Sequence, residues 1–534
     1  MKMQFKLIRY ILLLFVGSSL LFVSCKNDNW TEHYSINEEL VPGQNLWDII
    51  RQDPTTTKFA WAVRKTGYDK LLSGSQMYTV WAPSDSSAQN IDTTDAGLSD
   101  AILLKSYVQN HISHYSYPAS GTSPQRILML NNKVILFSRI GEDFLIGTNP
   151  LTQKNIVTSN GILHRIGDKI PFFGNLWELM DTETELDSLR TYFHSFDRIV
   201  FDAARSIPGP DLTDDGKTIY IDSVTYNYNT LFYYLGELNN EDSTYSVLMP
   251  NNTAWIKSYN NIKEYYRYYY STVASKYNAD TLQRQATMIN IVKDLIFRDK
   301  QVPVQDSLVS TYGNYFPNPF DGALRTVNAS NGTIYIKDSL QYKSWQSWNK
   351  EIRVEAEQTS GRVSTSSILY ERNYTDTSFI VSNNKYIDIS PSGTSAYPTV
   401  TFDIPNTLSG KLNTDSTIQY GAAYNIYCVF APNSLNTSTP LPSKVIFTLM
   451  YKQANGLIPS KNFTNKSVNF VTKTDKMTKV LVTENFVFPV SEYGMEISNV
   501  KLKVTNNVTQ AQAQALTYSR DLLIDCIIFE PVQQ

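Results

Sequence analysis

Residues 78–85 read YTVWAPSD, and residues 245–252 read YSVLMPNN. Both stretches alternate like a half-buried strand, and both end at a proline, Pro83 in the first and Pro250 in the second. Proline ends such a strand because it lacks the amide hydrogen that a central strand donates. The sequence therefore predicts the same strand twice in a chain of 534 residues.

Two further motifs flank this strand and recur in the same order. The first, NLWDI at 45–49, returns as NLWEL at 175–179, and the second, NGILH at 160–164, returns as NGTIY at 331–335. Copies of this length indicate duplicated domains, because solenoid repeats span only about 20–50 residues. Copy two is longer, and its insertion lies near 208–242.

Local signals predict both helices and strands in each copy. Asn45 can cap a helix that begins at Leu46, and residues 103–112 have the apolar period of another helix. The pair Asn160-Gly161 is a tight-turn signal ahead of a strand over residues 162–166. Each copy is therefore expected to be a mixed α+β module.

These motifs resemble those of the fasciclin (FAS1) domain. That family combines a Tyr-x-Val-x-Ala-Pro strand with a histidine after a mid-domain helix and a late Asn-Gly-x-x-His motif, and copy one has His111 or His114 and His164 at these places. The resemblance implies two α+β fasciclin-like domains, 44–173 and 174–345, that serve adhesion or extracellular scaffolding. It implies no catalytic chemistry.

Copy two departs from the family at both histidines. Leu295 stands in place of His111, and Tyr335 stands in place of His164. A histidine in an apolar strand either acts as a ligand or base, or satisfies backbone groups inside the core. Because a tyrosine ring with a polar tip replaces His164 in copy two, the sequence favours the structural role.

Two unusual segments of copy two also have alternative interpretations. Residues 211–222 partly fit a calcium-binding EF-hand loop, but Thr213 and Asp222 depart from it and Pro208-Gly209-Pro210 excludes an entering helix. A β-hairpin with an Asp-Gly turn is the favoured interpretation. Residues 264–270, EYYRYYY, could offer a sugar-binding platform, although a helix that buries one tyrosine face is favoured.

The pattern changes after residue 345. Short alternating segments, such as 424–430 and 444–450, are separated by Gly, Asn, Ser and Pro. This pattern predicts an all-β sandwich over residues 346–534. The predicted fold class is thus multidomain, with two α+β fasciclin-like domains followed by an all-β jelly-roll-like sandwich.

The two ends of this last region, VEAE at 354–357 and IDCIIFEP at 524–531, resemble the ends of galactose-binding-like jelly rolls, which include carbohydrate-binding modules. The resemblance implies that Glu355 or Glu357, together with Asp525, holds a structural calcium ion. Calcium is the only cofactor that the sequence suggests. The favoured interpretation from the residues alone is that these carboxylates face water at a sheet edge.

The cysteines are few. Cys428 and Cys526 lie in apolar strand patterns, where a small buried hydrophobe is favoured over a disulfide between them. The third, Cys25, follows a basic start and a short apolar run over residues 10–23. That run is too short to span a bilayer as a helix, which needs about 20 residues.

The N-terminal pattern is typical of a secretory signal, and LFVSC at 21–25 resembles a relaxed bacterial lipobox. The resemblance implies a signal peptide over 1–24, lipidation of Cys25 and a tether over 25–43. An ordinary signal peptide or an uncleaved anchor is the alternative. The expected location is the outer membrane, with the lipid as the membrane anchor and the body facing the cell exterior.

Composition and motifs restrict the function. A formal net charge of −3 argues against a nucleic-acid partner, which requires a basic surface. Motifs for serine hydrolases, zinc proteases, nucleotide binding and dithiol chemistry are all missing, so no catalytic residue and no enzyme activity are predicted. A carboxylate-pair glycoside hydrolase stays as a remote alternative.

The predicted function is a lipid-anchored adhesion or scaffold protein that assists glycan capture or uptake. Its expected partners are polysaccharides or outer-membrane glycan-uptake proteins. The alternative is direct carbohydrate binding through the C-terminal sandwich. The sequence does not indicate which residues would contact the sugar.

Overall fold

The computed structural model describes residues 43–88, 103–203, 206–222, 225–269, 273–299, 303, 306–412, 418–459, 463–464 and 470–533. They form two compact units, which divide between Phe173 and Gly174. No helix among the described residues is long and apolar enough to cross a membrane.

In its described residues, the first unit packs three α-helices and several helical turns on a seven-stranded sheet. The helices are α1 (Leu46–Gln52), α2 (Thr57–Lys65) and α3 (Tyr68–Ser73). The strands are β1 (Tyr78–Pro83), β2 (Ile112–His114), β3 (Gln125–Leu128), β4 (Val134–Ile140), β5 (Asp143–Ile146), β6 (Asn149–Thr158) and β7 (Gly161–Ile166). They are ordered β2-β1-β7-β6-β5-β4-β3, and β1 and β7 are parallel neighbours.

The predicted elements of the first copy are present, with one change. Asn45 caps α1 by accepting a hydrogen bond from the Asp48 amide, and β1 ends at Pro83 as expected. The predicted helix over 103–112 is shorter: one π-helical turn over Leu104–Val108 and one 3₁₀ turn over Gln109–His111. Ile112 instead begins β2, because it pairs with Val80 of β1.

The part of the second unit that the structure describes before residue 345 has five α-helices and a four-stranded sheet. The helices are α4 (Leu176–Thr182), α5 (Asp187–His194), α6 (Phe232–Leu235), α7 (Asn252–Ile262) and α8 (Val273–Val292). The strands are β8 (Asp197–Phe201), β9 (Ile207–Leu212), β10 (Thr218–Asp222), β11 (Thr225–Asn229), β12 (Tyr245–Pro250), β13 (Ile296–Arg298), β14 (Ser307–Val309), β15 (Tyr315–Pro317), β16 (Arg325–Ala329) and β17 (Gly332–Lys337). The sheet order is β13-β12-β17-β16, and β8–β11, β9–β10 and β14–β15 form separate ribbons.

The parallel strand pairs of the two units share one register. Tyr78 of β1 faces Gly161 of β7, and Tyr245 of β12 faces Gly332 of β17, so the first residues of the repeated motifs meet in both units. On the other side of the central strand, β2 pairs antiparallel with β1, and β13 pairs antiparallel with β12. The two segments therefore use the same local strand arrangement.

The Asn-Gly corner that precedes each last strand is also the same. The Asn160 side-chain oxygen accepts from the Leu46 amide at 2.8 Å, and the Asn331 oxygen accepts from the Leu176 amide at 2.8 Å. Each asparagine also donates to two backbone carbonyls, those of Leu72 and Gly74 in the first unit and of Leu238 and Asn240 in the second. In each unit, one buried asparagine thus hydrogen-bonds both the start of a helix and a loop, at the position just before the last strand.

Residues from 352 onward form two antiparallel sheets and a short ribbon. The strands are β18 (Ile352–Glu355), β19 (Arg362–Thr365), β20 (Ser367–Asn373), β21 (Lys385–Pro391), β22 (Thr399–Asp403), β23 (Gly410–Leu412), β24 (Ile418–Gly421), β25 (Tyr424–Phe430), β26 (Lys444–Met450), β27 (Phe463–Thr464), β28 (Phe470–Val471), β29 (Thr478–Phe486), β30 (Lys501–Asn506) and β31 (Leu522–Pro531). A short helix, α9 (Gln510–Gln514), precedes β31.

The two sheets face each other across a buried core, as the alternating pattern predicts. One sheet has the order β20-β21-β31-β25-β29 with β18 also on β31, and the other has the order β19-β22-β30-β26-β27 with β28 also on β26. Phe430 of β25 and Phe447 of β26 are in ring contact across the interface, with centroids 6.3 Å apart. A sandwich of antiparallel sheets therefore forms the C-terminal part of the second unit.

Candidate functional site

Strand pairing brings together the acidic residues of the first and last strands of the sandwich, which are far apart in the sequence. Because β18 pairs with β31, Glu355 lies opposite Cys526 and next to Asp525. One ligand atom from each of these three residues lies within 4.8 Å of the other two. Glu357, the third predicted metal ligand, lies beyond the end of β18 and outside this tight group.

A short turn over Ser382–Asn384 donates hydrogen bonds to the cluster of carboxylates formed by Glu355, Glu357 and Asp525. The Ser382 amide donates to Asp525 Oδ1 at 2.9 Å, and the Ser382 hydroxyl donates to Glu355 Oε1 at 2.7 Å. Asn383 Nδ2 donates to Glu357 Oε1 at 3.3 Å. The second oxygens of Glu355 and Glu357 are buried and accept no hydrogen bond.

Burial and like charge make these neighbouring carboxylates costly to ionise, although the Arg353 guanidinium lies 3.6 Å from the Cys526 sulfur and attracts Glu355. Asp525 is only 3% exposed, and its burial, assisted by the negative charges of Glu355 and Glu357, raises its pKa to about 7. Burial and the nearby Asp525 carboxylate also raise the pKa of the Cys526 thiol, which therefore stays protonated. The available donors are oxygens, which suit calcium better than a thiolate-binding metal.

The cysteines of the sandwich are both buried free thiols. Cys428 lies on β25 and Cys526 on the neighbouring strand β31, where they face Ile527 and Val429 respectively. The expectation of small buried hydrophobes is confirmed, and the alternative disulfide between them does not form. Cys25 lies outside the described residues, so its lipidation stays a prediction.

The two core histidines of the first unit are held as neutral rings. His164 Nε2 contacts the Tyr117 carbonyl at 3.0 Å, and His164 Nδ1 accepts from the Asn155 amide at 3.3 Å. His111 contacts the Tyr107 carbonyl through Nδ1 and accepts the Ile170 amide through Nε2 at 2.8 Å.

Burial lowers the pKa of His111 and of His164 to about 4. Both rings are completely buried, and every ring nitrogen has a backbone partner. The structural interpretation of His164 is therefore confirmed.

The insertion of copy two contains the predicted hairpin. Strands β9 and β10 pair antiparallel, and the Thr213 amide donates to the Lys217 carbonyl at 2.8 Å across the turn. Asp215, one of the acidic residues considered for calcium, instead contacts Lys217 at 2.6 Å. This loop therefore has the hydrogen bonds of a turn.

The tyrosine-rich run does not form the predicted helix. A 3₁₀ turn spans Lys263–Tyr266, after which the chain extends along the sandwich. The Arg267 amide donates to Ser409 Oγ at 2.8 Å, and the Ser491 amide donates to the Arg267 carbonyl at 2.7 Å. The ring of Tyr266 is fully buried beside Tyr493, so this run packs against the sandwich.

Comparisons with known proteins place one family in the first unit. Residues 54–170 match the model of the fasciclin domain, which confirms this prediction for copy one. A search of curated proteins finds no match.

Solved structures give weaker similarities. The FAS1 domain pair of the insect cell adhesion molecule Fasciclin I is 14% identical with a TM-score of 0.20, over 54% of this chain and 97% of that one. The CBM22-1 xylan-binding domain of Paenibacillus barcinonensis Xyn10C is 11% identical with a TM-score of 0.21, over 35% and 94%. An exo-β-1,3-galactanase of Phanerochaete chrysosporium is 13% identical with a TM-score of 0.16, over 34% and 29%. These TM-scores are too low to establish a shared fold.

Proposed function

We propose that this chain is a lipid-anchored adhesion or scaffold protein of the cell surface that assists glycan capture. The observation that carries the proposal is the fasciclin domain at residues 54–170. The lipobox-like LFVSC at 21–25 supports the anchor. The fasciclin domain would mediate contact with other surface components, and the second unit would contact the glycan.

We also propose that residues 174–345 are a second fasciclin-like domain. Support comes from the shared register of the parallel strand pairs and from the matching hydrogen bonds of Asn160 and Asn331. A glycine follows each asparagine, and a side chain there would lie 1.9 Å from a backbone oxygen in both copies. These three shared details support the assignment.

Direct carbohydrate binding through the C-terminal sandwich is the second candidate function. The sandwich exposes the rings of Tyr370 and Tyr397, and an exposed aromatic ring offers the flat apolar surface on which a sugar ring packs. This role is compatible with the surface location and would make the chain itself the glycan receptor.

Calcium is proposed as a structural cofactor of the sandwich. Glu355 and Asp525 would provide the main oxygen ligands, with Glu357 alongside, and the unpartnered oxygens of both glutamates support this assignment. A bound cation would neutralise carboxylates that otherwise repel each other, and would join β18 to β31. Its contribution would be to stability.

The surface role is tested in cells that produce the full chain. We expect the chain in the membrane fraction, accessible to protease added to intact cells, whereas Cys25→Ala should move it out of that fraction. A second cysteine variant, Cys428→Ala, serves as the control because its thiol is buried in the sandwich. Resistance of the unmodified chain to external protease would contradict surface display.

The glycan role is tested with the purified full chain on an array of plant and microbial polysaccharides, with calcium and with a chelator. Binding to at least one polysaccharide is expected. An array without any binding under either condition would contradict both glycan assistance by contact and direct carbohydrate binding.

A further inference from the structure

A small aromatic cavity lies inside the second unit, beside the ribbon of β23 and β24. Its volume is about 260 Å³. Five aromatic residues line it: Tyr265, Tyr342, Trp345, Trp348 and Tyr420. The tyrosine-rich run and the WQSWNK motif at 345–350 therefore meet at one place, although about 80 residues separate them in the sequence.

Two buried polar groups on the cavity lining have no partner. Asn290 is 1% exposed, and its Nδ2 donates to the Ala286 carbonyl at 2.7 Å while its Oδ1 accepts nothing. The indole nitrogen of Trp348 is likewise buried without an acceptor. A buried acceptor or donor that loses its bonds to water without gaining a partner destabilises the folded state. A ligand that both donates and accepts would satisfy the pair.

The scarcity of charged residues on the cavity lining indicates an uncharged ligand. Lys343 is the only charged residue among the described lining residues, and it is exposed. The other polar lining residues are neutral hydroxyl and amide groups, those of Ser258, Asn261 and Ser344 beside Asn290. Aromatic faces, neutral amides and hydroxyls match a sugar ring, which has apolar C–H faces and a rim of hydroxyl groups.

The segment that carries Trp345 and Trp348 is held in place by bonds from the buried residues Lys293 and Asp294 to Ser347. The buried Asp294 carboxylate accepts a hydrogen bond from the Ser347 hydroxyl, and Lys293 Nζ donates to the Ser347 carbonyl at 3.1 Å. The rings of Trp348 and Tyr265 pack edge to face with centroids 5.7 Å apart. The cavity wall is therefore fixed before a ligand arrives, which lowers the entropy cost of binding.

We propose that this cavity binds a neutral sugar unit at the end of an oligosaccharide. Its volume is just below the range of roughly 300–1,000 Å³ that is common for small-molecule sites, so it suits one terminal unit rather than a long chain. Trp348 donates to a sugar hydroxyl, Asn290 accepts from one, and Tyr420 covers an exposed face. The inference rests on the proposed glycan role but assigns the sugar to this cavity instead of a face of the sandwich.

The test titrates the full chain with neutral tetrasaccharides of glucose, xylose, mannose and galactose, and follows heat and tryptophan fluorescence. Trp348→Phe keeps a ring but removes the donor, and it should weaken binding by about three- to tenfold. Tyr420→Ala should weaken binding by a similar factor. Tyr315→Ala is the matched control, because Tyr315 is 53% exposed on β15 of the same unit and does not line this cavity.

Each outcome decides the proposal. If a tetrasaccharide binds and neither Trp348→Phe nor Tyr420→Ala weakens it, the sugar binds elsewhere: this subsite is then wrong while the glycan role stands. Binding only to charged glycans overturns the neutral-sugar assignment. Binding to none of the tetrasaccharides overturns the subsite. The glycan role is overturned only if the polysaccharide array also shows no binding. Tyr420→Ala on the exposed ribbon keeps the test valid if Trp348→Phe is poorly folded.

Discussion

At the scale of single residues, two pairs of buried ionisable groups contrast with each other. His111 and His164 have a backbone partner at each ring nitrogen and are neutral, so burial costs them little. Asp525 and Glu355 instead lie side by side as carboxylates, with one glutamate oxygen unpartnered. The two histidines complete a core, whereas the two carboxylates repel each other and leave one buried oxygen without a partner, which a bound cation could correct.

The carboxylate pair gives a prediction for calcium and pH. Without calcium, the raised pKa of Asp525 means that the folded state holds a proton that the unfolded state releases, so stability falls as pH rises from about 4 to about 7. Calcium requires the deprotonated carboxylate, so its stabilisation should grow over the same interval. At a calcium concentration 100 times the dissociation constant, the gain is about 2.7 kcal/mol.

Thermal unfolding of the full chain at pH 5 and pH 8, with calcium and with a chelator, measures this effect. Asp525→Asn should raise stability at pH 8 in the chelator and should remove the response to calcium. Asp521→Asn is the control, because Asp521 precedes β31 and lies outside the carboxylate group. An equal calcium response in Asp525→Asn and in the unmodified chain would exclude this site.

At the scale of elements, the Asn-Gly corner decides how the central strands meet. Gly161 has a φ of 149°, and an added Cβ would lie 1.9 Å from the Tyr78 carbonyl oxygen. Gly332 has a φ of 153° and the same 1.9 Å approach to the Tyr245 carbonyl oxygen. The parallel pairing needs glycine there, because β1 and β12 pass directly over the corner.

We therefore expect Gly161→Ala and Gly332→Ala each to cost about 3 kcal/mol or more, because both the backbone angle and the overlap oppose a side chain. Gly141→Ala is the matched control, since Gly141 also has a positive φ but nothing within 4 Å of an added Cβ, and it should cost only about 1 kcal/mol. Denaturant unfolding with hydrogen exchange by peptide measures both. A cost for Gly161→Ala no larger than that of Gly141→Ala would refute the packing argument.

The elements that the sequence predicts correctly are those with local signals. The cap at Asn45, the end of β1 at Pro83 and the turn at Asn160 each depend on residues a few positions away. The prediction of a helix over 264–270 is wrong because the partners of this run, Ser409 and Ser491, are far along the chain. Nothing near 264–270 indicates that the backbone there would bond to a sandwich.

The candidate sites divide in the same way. The sequence points to Glu355 and Asp525 through a resemblance, but it gives no sign that Ser382 would bond to both of them. No sequence pattern indicates the aromatic cavity, because Tyr265, Trp348 and Asn290 come from separate segments that only the folded unit brings together. Composition indicated many tyrosines but could not indicate where they gather.

At the scale of the whole molecule, the second unit has one continuous core. A single buried cluster extends from Leu176 in α4 to Phe529 in β31, so it includes both the α+β part and the sandwich. Tyr266 lies at the junction, fully buried, with its ring centroid 5.1 Å from that of Tyr493. The predicted boundary at 345–346 thus falls inside one packed unit, and its two sides should unfold together.

Replacing Tyr266 tests this cooperativity. Tyr266→Ala removes a fully buried aromatic ring, which should cost about 3–5 kcal/mol. Because the core is continuous, peptides on both sides of residue 345 should lose hydrogen-exchange protection to a similar extent. Tyr233→Ala, at an 80% exposed ring, is the control and should leave protection unchanged. If Tyr266→Ala opens residues 174–345 while β25, β26 and β31 keep full protection, the sandwich is an independent folding unit. In that variant the aromatic cavity, most of whose lining lies before residue 349, would lose the rigid wall that the proposed sugar site requires.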